Sequence, residues 1–235
     1  MRSIWTMGEM IVEIMRPKED MPLDVAGEFL GPYPSGAPAI FADTAAKMGK
    51  ASGIIGGVGK DDFGKCLLDR LNRHGVNCDF VNQVEGSSTG VAFVTYFASG
   101  DRKFIFHIGN TPAVQVTSPN ISGIEEPVFF HLMGCSLTAN DAFYDEIIKT
   151  LYKFADRGAK ISFDPNIRPE LIGSRSMEEF IGPILENCSV LMPGTEELMN
   201  IAGEDTVEKA LEKLFRNIIF SLFSIKLFTF IFSFH

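Results

Sequence analysis

The sequence predicts an α/β fold: a mostly parallel sheet covered by helices on both faces, with a smaller sheet projecting from it. Three observations carry this reading. Apolar runs of strand length alternate with amphipathic helical stretches, glycines close several of those helices, and one pair of β-rich runs breaks the alternation as a hairpin. At 235 residues the chain is long enough for one large domain, or a domain with a small appendage.

Taken in order, Ile4 to Met15 reads as one short strand that becomes half-exposed as it leaves the core, interrupted by Gly8, Glu9 and Glu13. Arg16 to Pro38 is rich in Pro, Gly and acids, which predicts loop with room for short strands. Ala37 to Gly49 sets Ala39, Phe41, Ala42, Ala45, Ala46 and Met48 on a broad apolar face, with Gly49 as the stop. The unit then repeats as strand Ala51–Val58, helix Phe63–His74, Gly75 as stop, and strand Val76–Val81. Val91–Ala98 and Lys103–Ile108 flank the turn Ser99-Gly100-Asp101, a hairpin signal between βα units. Alternation resumes with strand Val128–Met133, helix Asp141–Asp156, strand Ala159–Phe163, helix Ser176–Glu186 and strand Ser189–Met192. Helices Thr195–Ala202 and Thr206–Phe215 follow. Ligands of such sheets bind in the loops at the carboxyl ends of the strands.

A hydrophobic content of 46% with 22% charged residues is ordinary for a globular protein. The net charge of -9 argues against nonspecific binding to nucleic acid or to anionic membranes, which needs basic patches. Cys66, Cys78, Cys135 and Cys188 are scattered with no Cys-x-x-Cys pair, the pattern of buried reduced thiols rather than of a zinc site or disulfide frame. MRSIWTMGEMIVEIM lacks the apolar run and cleavage site of a signal peptide, so the expected compartment is the cytoplasm.

Three stretches invite chemistry. The glycine cluster Gly53–Asp62 fails as a Walker A loop, because Ile54 and Asp61 stand where Gly and Ser or Thr are needed. It fails as a dinucleotide fingerprint because position 62 is Asp, which leaves a strand-to-helix turn that needs small residues. Ser35-Gly36-Ala37 stands just before a helix, so backbone N–H groups face a site with no side chain in the way; a tight loop with a small-residue packing face explains it equally well. Asp164, Asn166 and Arg168 follow a buried strand directly, with Pro165 and Pro169 holding the segment out of a helix. An arginine there suits anionic or polyhydroxyl ligands, whereas a surface loop with a salt bridge is the plain alternative.

Together these motifs, their order and spacing resemble the PfkB (ribokinase-like) carbohydrate kinases. Gly8-Glu9 with Glu13, Ser35 to Ala39, GGVGKDDFG at 56–64, GVNCDFV at 75–81, TGVAFV at 89–94 and DPNIR at 164–168 carry the resemblance, which spans about residues 4 to 214. It implies a three-layer α/β/α sandwich whose C-terminal part is missing, with a small β lid from about 12–34 and 86–110. It also implies ATP-dependent phosphorylation of a sugar hydroxyl with Mg²⁺, and a possible homodimer through the lid sheet. By the same resemblance Glu13 would hydrogen-bond sugar hydroxyls, Gly36 would lie against the sugar, and His107 would fall where kinases of 2-keto-3-deoxygluconate carry an arginine. Arg168 would sit near substrate and transferred phosphate. Asp164, Asn166 and Glu197 would organise phosphate and Mg²⁺, the last through water, with no direct protein ligand to the metal.

Departures qualify the implied substrate. Ile40 replaces the asparagine of the Gly-Gly-x-x-x-Asn motif, and Gly194 replaces the first residue of Asn-x-x-Glu. Histidine at 107 lacks arginine's permanent charge, which favours a neutral ketose over an acidic sugar; GPYPSGAPAIF is most similar to tagatose- or fructose-type kinases. The family's catalytic Gly-Ala-Gly-Asp segment, which supplies an anion hole and the general-base aspartate, occurs nowhere in the sequence. The expectation is therefore a chain without its catalytic residue, inactive or a sugar-binding pseudo-enzyme, with 2-keto-3-deoxygluconate as the alternative substrate. Residues 215–235 change character: seven of 21 phenylalanines lie between Phe215 and Phe234, with Arg216 and Lys226 the only formal charges there. Expected domains are 1–214 as kinase and 215–235 as an aberrant hydrophobic tail, with a short membrane span or a core helix and strand as the other readings.

Overall fold

The computed structural model describes residues 2–167, 175–217 and 222–223. A parallel sheet of seven strands is built on β1 (Ser3–Met7), flanked by β4 (Ala51–Gly59) and β8 (Pro127–Met133). Beyond β4 lies β5 (Asn77–Val84); beyond β8 lie β9 (Lys160–Asp164), β10 (Cys188–Leu191) and β11 (Leu222–Phe223). All pairings are parallel, so the carboxyl ends of all seven strands share one crest.

Neighbouring residues of β4 show the layering. Ile54 packs with Ala39 and Ala42 of α1 (Ala37–Lys47) and Leu67 and Leu71 of α2 (Asp62–Arg73). Ile55, on the opposite face, belongs to the larger cluster with Phe143, Ile147 and Leu151 of the helix Asp141–Asp156. Strand alternation thus sends successive side chains into two cores. Phe130 and Phe154 stack at 4.4 Å, and Trp5 meets Phe80 edge-on at 5.5 Å. Each such buried aromatic contributes about 1.5–3 kcal/mol.

The second sheet, here called the lid, has four strands in the order β3 (Leu30–Ser35), β2 (Ile11–Met15), β6 (Gly90–Tyr96), β7 (Arg102–His107). The expected single strand from Ile4 to Met15 is thus two: the chain leaves the main sheet at Gly8 and enters the lid at Ile11. Arg16 is buried and donates to the carbonyls of Pro22, Val25 and Glu28, which organises the Pro- and acid-rich segment beside the lid. The glycine cluster lies inside β4 rather than in a turn. A Cβ on Gly53 would meet the Trp5 ring at 2.4 Å, and one on Gly57 the carbonyl of Pro112 at 2.3 Å.

A short helix α3 (Gly134–Leu137), unanticipated from sequence, follows β8. The helix Asp141–Asp156 is α4, and α5 (Met177–Leu185), α6 (Thr195–Ala202) and α7 (Val207–Asn217) follow near their expected limits. Helix α7 runs past the boundary expected at 214, and Leu222–Phe223 pair with Val190–Leu191. The remainder of the hydrophobic tail and Arg168 lie outside the described residues. Among the described residues no helix is long and apolar enough to cross a membrane. The four cysteines are free; Cys188 is buried, which pushes its thiol up to about 12, and the others are half-buried.

Candidate functional site

The crest carries Gly36, Asp164, Asn166 and Glu197 on neighbouring elements, with Glu13 where the lid joins it. Gly36 is the N-cap of α1 at φ +97°, a conformation that favours glycine, and a Cβ there would meet the carbonyl of Glu9 at 2.4 Å. Pro at the second position of α1 suits a first turn whose N–H groups have no helical partner. Glu13 on β2 is half-buried, and its Oε1 accepts a 2.7 Å hydrogen bond from Ser35 Oγ. Ser35, Gly36 and Glu13 therefore form one polar rim where the lid joins the main layer.

Next along the crest, Gly8 ends β1 against Pro38 and Ser136. Gly134, at the end of β8, lies under the 164–167 segment so closely that a Cβ would overlap the Pro165 carbonyl, at 1.5 Å. Asp164 closes β9 beside Met133, and Asn166 follows at φ +36°. The Met192 amide donates to the Phe163 carbonyl, which brings the end of β10 alongside that of β9. Glu197, on the first turn of α6, accepts from the Gly194 amide at 2.6 Å. It caps its own helix there, and glycine offers no side chain to return the bond.

Contacts thus link Gly36, Glu9, Ser136, Gly134 and Pro165 into one continuous floor, with Asp164 and Glu197 toward its β9–β10 side. His107 stands apart. Strand pairing sets Glu13 opposite Ala92 and Ala92 opposite Phe106, whereas His107 pairs with Val91 and meets Phe93 edge-on at 5.8 Å. Glu13 and His107 consequently lie on opposite faces of the lid. Ile40, in the first turn of α1, is exposed, so the position of the family's asparagine is open to solvent. A cleft of about 620 Å³ lined by Lys60, Asp61, Asp62 and Lys65 lies on the β4–β5 flank and includes none of these residues.

Among the acids left unassigned from sequence are the half-buried Asp61 and the buried Glu9. Asp61 caps α2 by accepting from the Gly64 amide, and also takes hydrogen bonds from the amide and hydroxyl of Thr89, fixing the root of β6 to the core. Burial would push its carboxyl up, but those hydrogen bonds win and hold it below the usual range. Glu9 is buried between α1 and α3 and accepts from Ser136 Oγ and Cys135 Sγ. The available signal for the second cluster was Gly134-Cys135-Ser136, small residues directly after a buried strand.

A sequence model of the pfkB family of carbohydrate kinases matches residues 1–222. The chain belongs to this family. It is 30% identical over 209 residues to "Probable fructokinase-4" of Arabidopsis thaliana, covering 87% of this chain and 63% of the relative. It is 32% identical over 176 residues to "Fructokinase" of Solanum tuberosum, covering 74% of this chain and 54% of the relative. The chain thus spans less than two thirds of the length of these curated relatives. Among solved structures, the putative ribokinase II of E. coli in complex with ATP and Mg²⁺ superposes with a TM-score of 0.88 at 34% identity, over 96% of this chain and 73% of that one. The fructokinase of Xylella fastidiosa, at 24% identity and a TM-score of 0.77, covers 95% of this chain and 69% of that one and speaks to the fold alone. The PfkB match reaches eight residues past the boundary expected at 214 (222 less 214), into the segment where β11 pairs with β10.

Proposed function

We propose that this chain carries the sugar-binding part of an ATP-dependent carbohydrate kinase, and that its substrate is a neutral ketose such as fructose or tagatose. The observation that carries the reading is the rim of Glu13, Ser35 and Gly36. A carboxylate already oriented by a serine hydroxyl can accept from two sugar hydroxyls, and the glycine lets backbone lie against the ring. The acidic character of this rim disfavours a sugar that bears its own carboxylate, since like charges repel at close range. The fructokinase relatives support the ketose class.

Asp164, Asn166 and Glu197 would face the phosphate side, with the Arg168 guanidinium near the transferred phosphate. The oxygens of the first three suit Mg²⁺, which keeps several waters and is held chiefly by one or two carboxylates plus substrate phosphates. Glu197, engaged on the Gly194 amide, would reach the metal through water. Bound ATP–Mg²⁺ would supply the phosphoryl group; the chain's own residues orient the sugar and exclude water beneath the lid. The 235 residues contain no Gly-Ala-Gly-Asp, so this polypeptide by itself is expected to bind the sugar without turning it over.

Titration of the full chain with fructose, tagatose and 2-keto-3-deoxygluconate, alongside a coupled assay for ADP, tests both parts. Saturable binding of a neutral ketose with ADP release at background is expected. Preference for the acid sugar overturns the substrate class, and strong ketose-dependent ADP release overturns the absence of turnover.

A further inference from the structure

We propose that Glu9 is the positioning residue of the sugar site: its backbone carbonyl seats Gly36 at the start of α1, while its buried carboxylate anchors it to α3 at the end of β8. For its ligand this rests on the sugar-kinase reading above; its geometry does not.

Glu9 sits in the three-residue passage between β1 and β2, only 8% exposed. Its Oε2 accepts from Ser136 Oγ at 2.5 Å and its Oε1 from Cys135 Sγ at 3.4 Å, both on α3. The backbone amides of Ala37 and of Glu9 itself also stabilise the carboxylate. Every one of these partners is a donor, which suits an ionised acceptor-only group. Burial opposes that charge and raises the carboxyl above its ordinary range. A charge this far from water persists only where it is well paired, and the positive end of α1 adds to the pairing.

The consequence falls on Gly36. The Glu9 carbonyl occupies the space where a Cβ on residue 36 would stand, and the Glu9 carboxylate, bonded to Ser136 and Cys135 of α3, keeps that carbonyl in place. Gly8, one residue earlier, is closed in by Pro38 and by Ser136. A glycine that must present bare backbone to a ligand has no side chain to anchor it, so its neighbours must fix it. Glu9 does so without touching the sugar.

The test is a double-mutant cycle in the full chain with Glu9→Gln and Ser136→Ala, read by fructose or tagatose titration and by amide exchange of the segment 35–41. If Glu9 works by linking α1 to α3, each single change weakens ketose binding on the order of tenfold, the scale of a lost charge-assisted hydrogen bond. The double variant is then no worse than the weaker single, because both changes cut the same link. Exchange in 35–41 rises in both singles, and Glu9→Asp, which keeps the charge on a shorter stem, restores part of the affinity. Folded variants with wild-type ketose affinity, or additive losses, would overturn the inference. Should Glu9→Gln not fold, Ser136→Ala alone decides it: unchanged exchange in 35–41 is the overturning result. A wild-type chain that binds no ketose rejects the functional reading, and the exchange arm still judges the link.

Discussion

At position 36 the backbone adopts φ +97° with a carbonyl 2.4 Å from where a methyl group would stand. Alanine there meets both the left-handed strain and the overlap, so Gly36→Ala is expected to cost about 2–4 kcal/mol and to lower ketose affinity more than tenfold. Trp5, the single tryptophan, is 4% exposed and reports unfolding in urea by fluorescence; equal midpoints for variant and parent would contradict this. Gly134 is tighter still, beneath the Pro165 carbonyl, and Gly134→Ala is expected to shift the 164–167 segment and destabilise by a similar amount. Single residues were the hardest part to read from sequence. Gly36 and Asp164 could be placed because each bounds an element, a helix start and a strand end, whereas Ser136 and Glu9 meet across 127 positions of chain. No local pattern encodes such a distance. His107 illustrates the same limit in reverse: its hairpin was legible, but its face depended on a pairing register that the turn alone did not reveal.

Elements fared better, and their misses share a cause. The division of β1 from β2 at Gly8 is invisible to periodicity because both segments are apolar and merely change sheets. Strand β3 hid in a proline-rich stretch; Pro32 and Pro34 are tolerated because β3 is the edge of the lid and bonds only β2. The outer helices are joined by Asp43 of α1, which is buried and receives Arg70 at 2.9 Å, Lys47 at 3.3 Å and His74. Burial pushes its carboxyl up, but hydrogen bonds from His74, Arg70 and Lys47 outweigh this and hold it below the usual range. A carboxyl depressed in the folded state stabilises fully above the unfolded value of about 3.9, and that contribution declines as pH falls from there through the folded value. Asp43→Asn is therefore expected to lower stability by about 1–3 kcal/mol at pH 7 and to flatten the loss of stability between about pH 5 and pH 2. Urea midpoints across that range would show it; parallel acid limbs would refute it.

For the molecule as a whole, the alternation of strands and helices was enough to state the layered sheet, because parallel βαβ units admit few arrangements. We propose, in addition, that two copies pair through the lid, whose strands expose Tyr33, Tyr96, Ile105 and Phe106. Light scattering during gel filtration is expected to give twice the 25.9 kDa chain mass, reverting to a single chain with Phe106→Asp; a monomeric parent would end this proposal.

Strand β1 lies between β4 and β8, so this strand, made before both of them, becomes an interior strand of the sheet only after residues 127–133 arrive. Until then Glu9 has emerged more than a hundred positions ahead of Ser136, and its acid waits in water for the hydroxyl that will cover it. Assembly of the floor is thereby a late event in synthesis, set by the slow closure of a long loop rather than by any local preference.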